Sequence, residues 1–321
     1  MKHILRLIRF PNLLIIALTM GLIRYCIIQP IFIRYYIDLE FPTVLFVLLV
    51  LTVVLIAAAG YMINDYFDVK TDLVNRPNEV VINKHIKASK VYIAYFVINL
   101  VALCISFYLS IKVGVVSMTF LFPLAMGLLW FYSTTYKRQL LMGNILVSII
   151  IAGVPLLVAL YEMPLIHVKY LQYPAAYNVL LRVVAGWCGT YAFFAFLVNL
   201  IRELIKDIED FEGDMAYGRT TLPVAFGLKT SKIVVTSLIA ITIVVIEIVY
   251  LSLLEPNKID LVTFAYFHLL LIIPLIVVAI LIFMANRKKH YTIISLIIKL
   301  VMILGLFYAI IVRLKMLGQI A

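Results

Sequence analysis

The sequence predicts an all-α polytopic membrane protein, a bundle of about nine transmembrane helices. The composition says so first: the 321 residues are 65% hydrophobic and only 13% charged, about half the charged share of an ordinary soluble domain. Mean hydropathy is +1.12. Apolar runs of roughly 20 residues, enough to cross about 30 Å of hydrocarbon as helix, then recur along the whole chain. They leave no length for a sizeable soluble domain, so residues 1–321 are expected to form a single membrane domain.

The expected helices are 13–33, 44–64, 88–110, 114–132, 141–160, 179–203, 231–253, 261–284 and 291–312. The first follows a basic segment, Met1 to Phe10. No small-residue cleavage site closes it, so it is read as a retained span and not a signal peptide. Arg24 falls near its middle, where a charge is costly unless it reaches a polar cavity or the interface. Glu247 in the seventh span and Lys299 in the ninth raise the same question, with snorkelling or a bundle-facing contact as the ordinary answers. His268 is expected to be a packed or hydrogen-bonded helix residue without a catalytic role. Cys26, Cys104 and Cys188 each lie inside a span with no paired spacing, so neither a disulfide framework nor a zinc site is expected.

Formal net charge is +11, but in a membrane chain the distribution of charge reports topology, and no nucleic-acid partner is expected. With the N-terminus in the cytoplasm, 18 of the 27 Lys+Arg fall on the inner side and 7 on the outer, Lys258 among them, with Arg24 and Lys299 within spans. Two inner loops, 65–87 and 204–230, are long and rich in charge of both signs, and function is expected there. They follow the second and sixth helices, a spacing that hints at a duplicated four-helix unit.

The first loop opens on Asn64 to Glu79, N-D-Y-F-D-V-K-T-D-L-V-N-R-P-N-E. On a helix, Asn64, Asp68 and Asp72 form one stripe with ~80° of drift. Alone, such a cluster also describes an ordinary solvated helix end. A second cluster argues for more: in Arg202 to Pro223, Asp207, Asp210 and Asp214 recur at helical steps, preceded by Arg202 and Lys206, with Gly213 and Gly218 able to loosen or end the helix. Facing carboxylates repel unless cations neutralise them. Aspartate and asparagine oxygens suit Mg2+, which takes one or two carboxylates, several waters and substrate phosphate oxygens. Two such clusters could hold about two magnesium ions around one diphosphate, with Lys137, Arg202 and Lys206 adding positive charge. No zinc ligand set, P-loop or G-x-S-x-G turn is present. A metal-bound diphosphate in an apolar chamber suits an isoprenoid.

These residues resemble the UbiA-type intramembrane prenyltransferases. The family's N-D-x-x-D-x-x-x-D with N-x-P is matched at Asn64, Asp65, Asp68, Asp72, Asn75 and Pro77, and its D-x-x-x-D at Asp210 and Asp214. Y-S-x-x-x-K with G-N is matched at Tyr132, Ser133, Lys137, Gly143 and Asn144, and R-F-P-N at Arg9 to Asn12 looks like the family's opening segment. The stretch Glu203 to Pro223 is most similar to the branch that adds a second geranylgeranyl chain to geranylgeranylglyceryl phosphate. Where that family commonly has x-R-P and then a glycine, this chain has Asn78, Glu79 and Val80, with Lys84 or Lys87 as compensating cations.

The resemblance implies a central cavity opening on the cytoplasmic side of the cell membrane and Mg2+-dependent transfer of a prenyl group from a polyprenyl diphosphate. Geranylgeranyl diphosphate is the first expectation for the donor, with a lipid or aromatic acceptor. It implies metal binding at Asn64, Asp68, Asp72, Asp210 and Asp214, and substrate contacts at Asn64, Asp65, Lys137, Asn144, Arg202, Lys206 and Asp207. Asp65 or Asp207 would assist deprotonation, and Phe193, Phe194 and Phe196 are candidates to shield an allylic cation, or plain packing aromatics. The acceptor stays open at this stage: a glyceryl phosphate, an aromatic such as 4-hydroxybenzoate, or a chlorin. From other classes, a cation-coupled transporter would want its acids at mid-membrane, and a CDP-alcohol phosphotransferase would show D-G-x-x-A-R, which is absent.

Overall fold

The computed structural model describes residues 2–170, 172–254 and 260–319. Among them, nine helices are long and apolar enough to cross a membrane. A short helix α1 (Lys2–Leu7) leads into α2 (Phe10–Arg34), α3 (Thr43–Asn75), α4 (Ala88–Val113), α5 (Val116–Arg138), α6 (Met142–Lys169) and α7 (Pro174–Glu209). The short α8 (Phe211–Ala216) precedes α9 (Leu222–Leu253), α10 (Leu261–Met284) and α11 (Lys288–Met316). The chain is a multi-pass, all-α membrane protein, as its composition predicts. Large apolar side chains such as Val44, Phe120 and Leu296 are exposed on the helix surfaces, as suits a chain whose outer face meets lipid. Lys258, one of the charges assigned to the outer side, lies outside the described residues.

Several helices are longer than hydropathy predicts. The helix expected to stop at 64 runs to Asn75, that expected to stop at 160 runs to Lys169, and that expected to stop at 203 runs to Glu209. The helix expected from 231 is preceded from Leu222 by a short helical segment, set off by a non-helical Gly227 at φ 82°, ψ 162°. Hydropathy measures depth in hydrocarbon, whereas backbone hydrogen bonding continues past the lipid wherever the polar residues still favour helix. Much of what reads as loop in 65–87 and 204–230 is therefore helix, and the acidic residues sit on rigid supports.

The chain forms two compact units, Met1–Lys137 with Gly153–Gly189, and Arg138–Ala152 with Thr190–Ala321. In the first, α3 packs against α2, α4 and α5. Gly60 lets α5 approach closely: a Cβ there would stand 3.0 Å from a methyl of Leu129. Eight residues further along each helix the same pairing brings Lys137 to Asp68. Behind the acidic face of α3, Phe67, Tyr95 and Trp130 interlock, with Trp130 5.6 Å from Phe67 and 5.5 Å from Tyr95 between ring centroids. Met62 packs in a core cluster with Leu7, Ile82 and Val91.

Arg24 does not snorkel. It is 1% exposed on a π-helical turn, Ile23–Ile28, and its guanidinium lies 3.5 Å from the fully buried Glu162 while donating to the Phe41 carbonyl. Glu162 in turn accepts from the Phe41 amide at 3.0 Å.

In the second unit, α10 packs against α9 and α11. Glu247 is met by His268, whose Nε2 lies 3.0 Å from its carboxylate while Nδ1 is 2.8 Å from the Phe264 carbonyl. His268 is thus a hydrogen-bonded helix residue, as expected. α11 meets α7 so closely at Gly305 that an added methyl would overlap the Phe194 ring. Gly305→Ala is therefore expected to lower stability by about 1–3 kcal/mol, measured by thermal unfolding in detergent, with Phe194→Leu in the same chain relieving most of the loss.

Candidate active site

In the first unit, the stripe of α3 carries the predicted residues on one turn after another. Lys137, buried at the end of α5, donates to Asn64 Oδ1 at 3.1 Å and pairs with Asp68 Oδ2 at 2.5 Å. Its side chain is 6% exposed and that of Asp68 11%, so this is a buried ion pair whose partners depend on each other. Asp65 faces a different cation: Arg9 Nη2 lies 3.0 Å from its Oδ1. Arg9 sits between α1 and α2 in a left-handed conformation, φ 49°, and stacks over the Tyr61 ring at 4.9 Å. Asn12 follows at 3.4 Å from the Tyr61 hydroxyl. The R-F-P-N segment is thus docked on the acidic end of α3.

The departure after N-x-P is pinned from two sides. Lys84 donates to the Pro77 carbonyl at 2.7 Å, and Arg6 donates to the Asn78 carbonyl at 3.3 Å. Lys84 therefore supports the backbone of the segment in which Glu79 lies, the position where the resemblance lapses.

In the second unit, α7 ends and α8 begins at Asp210, which is outside helical geometry at φ −97°, ψ 10°. Gly218 stops the next turn at φ 66°, a conformation glycine adopts without penalty. Asp214, 3% exposed, is held by Arg219 at 3.2 Å. Asp210 meets Lys288 at 3.5 Å. Asp207 accepts from the Asn144 side chain at 2.7 Å, and a buried ladder fixes that amide's helix: Asn199 donates to Ser148 Oγ at 3.1 Å, and Ser148 donates to the Asn144 carbonyl at 2.6 Å. Thr220 closes the loop, its amide and hydroxyl both donating to the Arg138 carbonyl at 2.9 and 2.8 Å.

Arg202 and Lys206, expected to supply positive charge, converge on Glu203, at 3.0 and 2.6 Å. Arg9, Arg219, Lys288 and Glu203 are the partners that motif reading passes over. Arg219 and Glu203 lie inside the quoted second cluster, whereas Arg9 is 56 residues from its partner. Of the aromatics, Phe193 is 49% exposed, and Phe194 packs on Gly305.

Among the described residues, no three His, Cys, Asp or Glu side chains gather as a metal-binding cluster. The donor chemistry of Asn64, Asp68 and Asp72 nonetheless fits magnesium: carboxylate and amide oxygens without sulfur or imidazole. That the Lys137 ammonium bridges Asn64 and Asp68 shows that these oxygens converge on positive charge. Each unit thus presents aspartates at a helix end, held in place by cations or an amide.

A model of the UbiA prenyltransferase family matches residues 33–297. The digeranylgeranylglyceryl phosphate synthase of Thermococcus sibiricus is 31% identical over 186 residues, 58% of this chain and 57% of that protein. That of Hyperthermus butylicus is 31% identical over 256 residues, 78% of this chain and 76% of that protein. The chain thus spans a little over half the length of the first relative and about three quarters of the second. Among solved structures, one of a digeranylgeranylglyceryl phosphate synthase superposes with TM-score 0.60 at 21% identity, over 98% of both chains. A UbiA homolog from Archaeoglobus fulgidus, bound to DMAPP and Mg2+, gives TM-score 0.53 at 17% identity over 96% of this chain and 98% of that one. These two superpositions show a common fold.

Proposed function

The chain belongs to the UbiA prenyltransferase family, and from that premise we propose that it is a Mg2+-dependent membrane prenyltransferase of ether-lipid synthesis. It transfers a geranylgeranyl group from geranylgeranyl diphosphate to geranylgeranylglyceryl phosphate and releases diphosphate. The whole chain acts as one catalytic domain in the cell membrane, with the aspartate sets and the N-terminus on the cytoplasmic side, as the basic bias of the loops supports. The observation that carries the reading is the stripe Asn64, Asp68 and Asp72 on α3 with the buried Lys137 ammonium on its oxygens, a set of ligands and cation suited to a diphosphate. The names of the matched relatives support the choice of acceptor, and the neighbour bound to DMAPP and Mg2+ supports the choice of donor class and metal.

Asn64, Asp68 and Asp72 in one set, and Asp210 and Asp214 in the other, would hold magnesium. The metal supplies positive charge where the leaving diphosphate becomes more negative. Lys137, Arg202 and Lys206 add direct charge to phosphate oxygens, stabilisation of the kind usually worth most in such chemistry. The allylic carbon–oxygen bond breaks with its electron pair leaving on diphosphate, and the acceptor hydroxyl oxygen bonds to the same carbon. The hydroxyl proton passes to a carboxylate. We assign that role to Asp207, because Asp65 is committed to Arg9 whereas Asp207 is oriented by a neutral amide. Apolar walls keep water from the allylic cation.

Purified protein offered a panel of prenyl diphosphates against glyceryl phosphate, phenol and chlorin acceptors, with product mass as readout, tests the proposal. The expected product is digeranylgeranylglyceryl phosphate. A prenylated phenol or chlorin in its place would overturn the acceptor assignment.

A further inference from the structure

Motif reading passes over the short loop between α10 and α11, yet its far end meets the second aspartate set. The loop is firmly mounted. The carbonyl of the buried Ala285 accepts from Lys232 of α9 at 2.6 Å and from the Tyr291 hydroxyl of α11 at 2.9 Å. Arg287 is extended, at φ −127° and ψ 147°, and α11 begins at Lys288. Lys288 and Thr292, four residues apart, share one face of that helix. They meet two successive residues at the break between α7 and α8. Thr292 donates to Glu209 at 2.9 Å, and the Lys288 ammonium lies 3.5 Å from Asp210.

The two contacts differ in what they contribute. The Thr292–Glu209 hydrogen bond docks α11 on the junction. The side chains of the Lys288–Asp210 pair are 42% and 24% exposed, and an exposed pair adds at most about 1 kcal/mol to stability. Its consequence is for the charge of Asp210, not for the fold. The first aspartate set has the same arrangement in chain order. There Asp68 lies on the second span, and Lys137, which pairs with it, closes the fourth. Here Asp210 follows the sixth span, and Lys288 comes directly after the eighth. Each unit, taken by itself, thus brings a lysine to its aspartates from two spans further along the chain.

We infer that Lys288 binds the donor diphosphate at the second aspartate set, as the counterpart of Lys137 at the first. This rests on the diphosphate chemistry proposed above. The ammonium is a counter-charge for Asp210. When that carboxylate serves magnesium, the ammonium takes another anion, and the phosphate oxygens that accompany the metal supply it. A lysine suits such an exchange: it is a point charge with three rotatable donors on a flexible four-carbon stem, and its half-exposed side chain has room to turn. The docked first turn of α11 keeps the stem aimed at the junction throughout.

The test uses the purified full chain in detergent, with thermal stabilisation followed as inorganic diphosphate is titrated at saturating Mg2+. Lys288→Met is expected to raise the diphosphate concentration at half effect about tenfold or more, with Lys288→Arg close to the wild type. In turnover, the KM for geranylgeranyl diphosphate rises by a similar factor, and that for the acceptor does not. Lys288→Gln serves as the second variant should Lys288→Met not fold. A lysine that only braced Asp210 would change the Mg2+ requirement and leave diphosphate binding at saturating Mg2+ as in the wild type. That outcome, or equal rises in both KM values, overturns the inference. A wild-type chain that diphosphate and Mg2+ do not stabilise at all would instead overturn the function proposed above.

Discussion

Asp68→Ala is expected to abolish prenyl transfer, lowering the rate by at least about 100- to 1,000-fold, and to weaken the fold at the same time. The two effects have separate causes. The carboxylate is proposed to hold the metal that neutralises the departing diphosphate, so its loss strikes the transition state. It is also the buried counter-charge of Lys137, whose side chain is 6% exposed, and truncating one partner of a buried pair costs about 3–5 kcal/mol. The double variant Asp68→Ala/Lys137→Met removes both charges and is expected to recover most of the thermal stability while remaining inactive. Asp72→Ala, further along the same stripe, is expected to lose activity with a smaller change in melting temperature. Radiolabelled transfer in membranes, read beside thermal unfolding in detergent, distinguishes these outcomes. Wild-type turnover by a folded Asp68→Ala chain would remove Asp68 from the site.

The second large effect is expected far from the aspartates. Arg24→Ala should destabilise the protein by about 3–5 kcal/mol, because it strips a buried charge from three partners at once. Glu162, 0% exposed, loses its counter-ion, and the Phe41 carbonyl loses its donor. Phe46, whose ring lies 4.5 Å from the guanidinium carbon, loses a cation–π contact. Phe41 is tied to Glu162 through its own amide, so this node helps to hold the segment joining α2 to α3, beside the Lys169–Glu40 pair. Arg24→Met/Glu162→Met, which replaces both charges by side chains of similar length, is expected to regain much of the loss. Thermal unfolding of the two variants beside the wild type in detergent checks this. Equal melting temperatures for Arg24→Ala and the wild type would mean that the pair contributes nothing to stability.

The number and order of the spans are legible from hydropathy, because apolar runs of bilayer length have few other uses. The stripe of α3 is legible from spacing, because four-residue steps share a helix face whatever surrounds it. Helix ends are not: Asp68 and Asp72 look like loop residues to a hydropathy scale, yet they continue α3 to Asn75. Ion pairs are the least legible. Nothing in the local sequence of Asp65 points to Arg9, and the partner of Arg24 lies just past the predicted end of α6, at Glu162. Such pairings are made by packing between distant segments.

The central claim is that the aspartate sets of this chain act through magnesium on a prenyl diphosphate. Its most direct test is release of diphosphate and formation of prenylated product by purified protein supplied with geranylgeranyl diphosphate and acceptor, first stripped of metal with EDTA and then given Mg2+ back. The expected result is no product without metal, recovery on addition of Mg2+, and no recovery in Asp68→Asn or Asp210→Asn. Product formed at the full rate in EDTA, or full recovery in either variant, would contradict it.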